Sequence, residues 1–499
     1  MGLMSNYSLI KFQMKTIKYI SYNYNISLRA MNEQFEIEIK EKMNQPTNKR
    51  KYTLYCYRWI ILINMSVACF LNGATLTIFT SIASKCTESY SINLTIFSIN
   101  NFLYMIMYPI STLFLVDFMQ RKFGLKATVS TGLIFLIVCY WLRANINSPF
   151  NKYFLFVTVS GFFGGISQPF VINSYTEVAG AWFSIEERIM VTSIFSILTS
   201  LGSAVGIAYP MFFIGDINKI SSEKFKESLA FSLNIFAIMS TICFVINILF
   251  LRSRPLTPPT RSSAKNCALL YNPGASNYCN LFKNCNFLIE VVIFSIFYGS
   301  LYVYSICIEM VFRQFGLDPL QSTIIGVSIT ISGIISVFIV GYILSQTNAY
   351  KCITIVISLI SLTGFSSLIA SAFYHKIILV YVSSAVFGIG IVPIIAVCFQ
   401  FGCELAYPVS SNLVSGFQLS TSRAFALLIS LAYTYILPSS NKPISIFDGL
   451  LCSGIIIGAM IIGIFLTFLL TEDLRRLRAD RRKTTSMSVG GGLILISVD

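Results

Sequence analysis

Apolar residues in this chain fall into twelve blocks of about twenty, at 57–79, 94–116, 125–143, 152–175, 189–213 and 228–251, then 287–313, 320–344, 351–373, 376–400, 411–437 and 445–470. A block of about 20 apolar residues is the length of helix that crosses the hydrocarbon core of a bilayer. The pattern predicts an all-α membrane protein of 12 transmembrane helices in two six-helix bundles, 57–251 and 287–471. Three polar segments frame the bundles. They are a tail over 1–56, a linker over 252–286 and a basic tail over 472–499 with Arg475, Arg476, Arg478, Arg481, Arg482 and Lys483. Residues 1–56 hold no apolar h-region of 7–15 residues, so no cleavable signal peptide is expected.

Charge adds orientation to this picture. The chain is 55% hydrophobic, 11% charged and carries a net charge of +15. Of its 36 Lys and Arg, 26 fall on the side of the two tails, 9 on the other, and Arg423 lies within a span. Excess basic residues near helix ends mark the cytoplasmic face, so both termini and the linker are expected there. The same distribution argues against nucleic acid as the partner of the positive charge. Lipid is the expected environment of most of the surface, the plasma membrane the favoured location, and a monomer the expected form.

Several chemistries are not encoded. There is no GxxxxGK[ST] loop for ATP. His375 is the one histidine, which excludes histidine-box oxidases and bis-histidine haem proteins. The 13 cysteines are scattered without a CxxC pair and read as free thiols. No cofactor, metal or catalytic constellation is expected, and the chain is not read as an enzyme.

Polar side chains inside spans are costly in lipid and usually face the bundle interior. Here they are Asn72, Gln168, Asn173, Glu309, Gln400, Gln418 and Arg423. Arg423 stands out, because a mid-span arginine costs a few kcal/mol on insertion scales and guanidinium cannot shed its proton. It is either paired with Glu309 or with carbonyls as a structural cation, or it contacts solute in a cavity. Glu309 is the intramembrane acid that stands out. Tyr302 and Tyr304 offer hydroxyls and π faces. Gly202 and Gly206 form a small-xxx-small face for close helix approach.

The segment Asp117-Phe-Met-Gln-Arg121-Lys122-Phe-Gly124-Leu-Lys126 resembles, with extra residues, the loop between spans two and three of the major facilitator superfamily. The six–linker–six layout agrees. That resemblance implies two parallel repeats with a substrate site between them, and alternating access. It also implies a charge latch in which Asp117 acts through Arg121 and Lys126 or through helix ends. In the second half Ser345 stands where an acid is common, so the latch should be weaker there.

A closer resemblance follows span four. Gln168-Pro-Phe-Val-Ile-Asn-Ser-Tyr-Thr-Glu177-Val-Ala-Gly-Ala-Trp182-Phe183-Ser-Ile-Glu-Glu187-Arg188 is similar to the feline leukaemia virus subgroup C receptor-related family. Tyr57-Arg58-Trp59, Trp141-Leu142-Arg143 and the run from Phe399 through Glu404 to Pro408 agree with it. The family resemblance implies a carrier of choline, ethanolamine, haem or another small solute. It implies a substrate cavity lined by Asn72, Gln168 and Tyr302, with Arg423 where choline carriers have glutamine and Leu76 where they have a cage tryptophan. Glu177, which stands where that family usually has a base, and Glu404 join Asp117, Arg121 and Lys126 as gating candidates. Leucine has no π face, and a fixed cation repels a quaternary ammonium. The expected function is a multi-pass solute transporter. The alternative is a transport-inactive receptor or scaffold of the same fold. A channel or a membrane enzyme fits less well, for want of filter repeats or a nucleophile or metal constellation.

Overall fold

The computed structural model describes residues 54–79, 82–90, 99–145, 150–214, 220–255, 257, 259, 281–437, 445–481, 487–489 and 492–494. Most of the N-terminal tail, the middle of the linker and the end of the C-terminal tail lie outside the described residues. Residues Thr53–Arg482 form one compact unit. In the other unit, Met487–Val489 pairs antiparallel with Gly492–Ile494.

The first bundle contains Arg58–Thr77 (span one), Ile99–Ser111 continued by a π turn Thr112–Val116 (span two), and Asp117–Ala144 (span three with its approach). It continues with Phe150–Ile172 and Ser174–Trp182 (span four), Glu187–Phe213 (span five) and Ser222–Phe250 (span six). The second contains Cys285–Arg313, Pro319–Thr347 and Tyr350–Phe373 (spans seven to nine). Span ten is Ile377–Ile391 and Ile394–Leu405, span eleven Ser411–Ile436 and span twelve Ile446–Leu469. Ten described helices are long and apolar enough to cross a membrane by length and composition. One of the ten, Ile99–Ala144, is two spans joined end to end, and Ser411–Ile436 is too polar to be among them. Twelve spans result.

The expected loop over 117–124 is itself helical except at Gly124, whose φ of 79° breaks the axis. Glycine populates that region without the Cβ clash that other residues meet. Span four departs most from the sequence pattern. Its helix runs to Trp182, well past the expected end at residue 175, and every residue from Ser174 to Trp182 is buried. Thr176 and Glu177 look like an exit from the membrane in one dimension. In three, they have partners on the other bundle and on the C-terminal tail. Pro393 divides span ten, because proline supplies no N–H to the helix and its ring crowds the preceding turn.

Spans one and five are pressed together at glycines. A Cβ on Gly202 would collide with the Phe70 carbonyl, and one on Gly206 would lie 2.9 Å from the Ala74 carbonyl oxygen. Span two meets span eleven and span five meets span eight across the bundle boundary. The face bearing the chain's two tails is called the tail side below.

Candidate functional site

Span eleven carries the charge at the centre. Arg423 is fully buried, and its Nη2 donates to Gln168 Oε1 of span four at 2.8 Å. Its Cζ lies 3.1 Å from the centroid of the Tyr302 ring and 5.0 Å from that of Tyr108. Two rings therefore supply negative π faces to a cation that a low-dielectric interior would otherwise penalise. Among the described residues, Nε and Nη1 have no hydrogen-bond partner. The sequence left Glu309 open as a counter-ion. The guanidinium bonds to Gln168 instead, and Glu309 stands within electrostatic reach of Cys86.

Tyr108 extends the cluster. Its hydroxyl donates to Asn173 Oδ1 at 2.6 Å, and Ser415 Oγ of span eleven donates to the Asn173 carbonyl at 2.9 Å. Nothing in the sequence singled out Tyr108, because its role depends on span two meeting span eleven.

Tyr302 also faces a cavity of about 60 Å³ between the bundles. Gly73, Leu76, Thr199 and Ser203 line it from one bundle and Tyr298, Tyr302, Ser305 and Ile395 from the other. Tyr298 and Tyr302 meet edge to face, centroids 5.0 Å apart. Leu76 thus does line the cavity at the position read as a lost aromatic. Asn72, Gln168 and Arg423 are not among the lining residues. Asn72 is fully buried, and its Nδ2 donates to Ala68 O of its own helix at 3.1 Å. The nine candidate residues therefore do not form one cluster. Gln168, Tyr302 and Arg423 come together, Asn72 stands apart, and the gating candidates lie towards the tail side.

From Arg423–Gln168 towards the tail side, hydrogen bonds join the bundles. Thr176 Oγ1 donates to Ser411 O at 3.1 Å, and Gln400 Nε2 donates to Thr192 Oγ1 at 2.5 Å. Gating candidates Glu177 and Glu404 lie beneath these contacts, one on each bundle and each 7% exposed. The helix Arg475–Arg481 closes over them. Leu477 N donates to Glu404 Oε2 at 2.8 Å, and Arg476, 2% exposed, reaches Glu177 electrostatically together with Arg254. A Cβ on Gly180 would lie 2.7 Å from Arg476 Nη2, so glycine leaves the slot that the guanidinium fills. In the sequence Arg476 is one of the basic run of the C-terminal tail. In the fold it is a buried cation.

Asp117 takes a bidentate contact from Arg121, Nε at 3.0 Å and Nη2 at 2.9 Å, one turn along its own helix. Lys126 does not join them. Its Nζ donates to the Ile248 carbonyl at the end of span six at 2.7 Å, and its N–H to Ser253 Oγ at 3.1 Å. Among the described residues Ser345 bonds within its own helix, to Tyr342 O at 2.7 Å, and as a serine it brings no charge to that place.

The expectation that Glu309 is the one notable acid inside a span is corrected by Glu290. It is 1% exposed in span seven and bonded by Gln418. Arg143, at the far end of span three, is fully buried too. Its Nε donates to Ser160 Oγ at 3.0 Å and its Nη1 to Thr75 O at 2.5 Å.

Comparison with known proteins follows the same lines. The model of the Major Facilitator Superfamily matches residues 65–422, which takes in most of each bundle. The chain is 24% identical over 428 residues to rat "Choline/ethanolamine transporter FLVCR2", covering 85% of this chain and 76% of that protein. It is 25% identical over 429 residues to the human protein of that name, covering 85% and 79%. To the zebrafish (Danio rerio) "Choline/ethanolamine transporter flvcr2b" it is 22% identical over 456 residues, with 90% of each covered. Among solved structures, a D-xylose-proton symporter superposes with a TM-score of 0.61 at 11% identity, covering 84% of this chain and 99% of that one. A mutant of the nucleoside transporter NupG superposes with a TM-score of 0.55 at 14% identity, covering 82% and 99%. The chain belongs to the major facilitator superfamily, as a multi-pass membrane solute transporter similar to the choline/ethanolamine carriers.

Proposed function

We propose that the transported solute is a small organic anion, bearing a carboxylate or a phosphate, and that Arg423 binds it. The observation that carries this reading is the guanidinium stacked on Tyr302 with Nε and Nη1 unpartnered in a buried site. Unmade hydrogen bonds of a buried cation are costly, and an anion with two oxygens in a plane matches the guanidinium fork. A quaternary ammonium finds the opposite. The ring face it would use is already covered by a cation, and Leu76 offers no replacement. Tyr302 lies between the cavity and Arg423, so a rotation of that ring gives the solute access to the charge. The bundles rock about this midplane site, and the approach of Arg476 to Glu177 together with the Leu477–Glu404 hydrogen bond holds the tail side shut.

The test is uptake into proteoliposomes of radiolabelled choline, ethanolamine and a panel of carboxylates and phosphate esters, comparing wild type with Arg423→Gln. Anion uptake that falls at least tenfold in the variant, with a gain for choline, is the expected result. Choline uptake by wild type that is unchanged in Arg423→Gln would refute the anion reading. The basic-residue tally supports cytoplasmic tails and a cytoplasmic linker over 252–286. Protease outside sealed, right-side-out vesicles should then leave the linker intact, and cleavage there would invert the topology.

A further inference from the structure

Span five carries a row of hydroxyls that the charge of Arg423 leaves unexplained. Ser196, Thr199, Ser200 and Ser203 recur at i, i+3, i+4 and i+7, which puts them on one face of the helix. That face lines the cavity between the bundles, and Ser305 of span seven and Thr330 of span eight stand in the opposite wall. More than half of the lining residues carry a hydroxyl. None of them is charged, and none is an amide.

Several of these hydroxyls have already given up their proton to a helix carbonyl. Thr199 Oγ1 donates to Phe195 O at 2.8 Å, Ser305 Oγ to Leu301 O at 2.8 Å and Thr330 Oγ1 to Gly326 O at 2.9 Å. Ser203 Oγ donates to Gly73 O at 3.1 Å. A hydroxyl has one proton and two lone pairs, so these four remain as acceptors. Ser196 differs. It is 1% exposed, and among the described residues its Oγ has no partner, so its proton and its lone pairs are both unused.

A wall of acceptors with one unspent hydroxyl selects among the groups a solute can offer. An alkyl group would leave Ser196 unsatisfied in a buried place, which is costly. A carboxylate or phosphate only accepts, and finds few donors here. An ammonium only donates. It would also stand across the Tyr302 ring from the Arg423 guanidinium, whose Cζ is 3.1 Å from the ring centroid, and like charges repel. A hydroxyl donates to the acceptors and accepts from Ser196. Size narrows the choice further. The cavity of about 60 Å³ has room for about four to six heavy atoms at roughly 10–15 Å³ each, a fragment of two or three carbons with their oxygens.

We propose that this face of span five reads hydroxyl groups, and that the solute is a small hydroxylated acid. Its carboxylate or phosphate binds Arg423, and its two- or three-carbon hydroxylated end lies against Ser196, Thr199, Ser200 and Ser203, with Ser305 and Thr330 closing over it from the second bundle. The inference rests on the anion reading of Arg423 and narrows it to one class of acid.

The probe is radiolabelled glycerol phosphate, taken up into proteoliposomes and competed with unlabelled glycerol phosphate, propyl phosphate, ethanolamine phosphate, glycerate and propionate. Two hydroxyls at one hydrogen bond each are worth about tenfold or more. Propyl phosphate should therefore need at least about ten times the concentration of glycerol phosphate for equal inhibition, and propionate at least about ten times that of glycerate. Ser196→Ala should lower the glycerol phosphate to propyl phosphate ratio about three- to tenfold. The ratio is taken within one preparation, so a change in the amount of folded carrier does not move it. If Ser196→Ala does not yield folded protein, Thr330→Val keeps the side-chain shape, removes an acceptor from the opposite wall, and should lower the same ratio. Equal inhibition by the hydroxylated and the deoxy acids overturns the inference, as does a ratio that neither variant changes. Stronger inhibition by ethanolamine phosphate than by glycerol phosphate assigns the row to an ammonium and overturns it too. In each of these cases the anion reading stands. A wild type that carries choline, carries none of the acids and is unaffected by Arg423→Gln overturns both.

Discussion

Replacing Arg476 with glutamine should unlock the tail side. The arginine is 2% exposed and faces Glu177 on the first bundle, while Glu404 on the second accepts from the adjacent Leu477 N–H at 2.8 Å. Removing one partner of a buried charge group costs about 3–5 kcal/mol, because the remaining charge stays desolvated. Arg254 also reaches Glu177 and compensates part of that loss, which argues for the lower end, about 3 kcal/mol. The tail-side-closed arrangement is the one that brings Glu177 of the first bundle to the Arg476 that follows the second. The penalty therefore falls on that state, and at 1.4 kcal/mol per decade it shifts the equilibrium roughly a hundredfold towards opening. Cys403 is a native reporter, buried at 3% exposure one residue from Glu404. Maleimide labelling of Cys403, followed by site-resolved mass spectrometry, should accelerate by up to about that factor in Arg476→Gln. Arg476→Lys should change it little, and adding Glu177→Gln to Arg476→Gln should restore slow labelling. A folded Arg476→Gln protein in which Cys403 reacts at the wild-type rate would refute the reasoning.

Two further changes separate packing from charge. Gly202→Val places a branched side chain where the Phe70 carbonyl of span one already sits, and overpacking of this kind costs about 1–3 kcal/mol, so the protein should melt several degrees lower in a thermal-shift assay; an unchanged melting temperature would mean that spans one and five can separate freely. Asp117→Asn removes a part-buried pair within a single helix, worth about 0.5 kcal/mol, so Cys403 labelling should rise less than about threefold, and a larger rise would make Asp117 the principal latch.

The bilayer explains why the fold was legible. It demands about 20 apolar residues per crossing and forbids unpaired backbone in lipid, so even Ser411–Ile436, with Gln418 and Arg423, still reads as a span. The features that were not legible depend on residues far apart in sequence. Thr176 and Glu177 look like the end of span four until Ser411 and Arg476 are brought to them. Glu290 stands near the start of its block, where an acid reads as a flank, and only the meeting of spans seven, ten and eleven encloses it. Arg476 is one arginine in a basic run, and its burial depends on the absence of a side chain at Gly180. Arg423 could be singled out as a mid-span cation, but its choice of Gln168 over Glu309 follows from which faces spans four, seven and eleven present to each other.

The seat of Arg476 under both bundles also sets an order of events during synthesis. Glu177 is made about 300 residues before its C-terminal cation. At 5–20 residues per second, the first bundle waits about 15–60 s in the membrane without it. Arg254 arrives within that interval, but Arg476 is made only after span twelve. A nascent chain therefore cannot fasten its tail side until translation has passed span twelve. A product truncated between span twelve and residue 476 still holds all twelve spans and lacks the bolt, so insertion and closure are separable events.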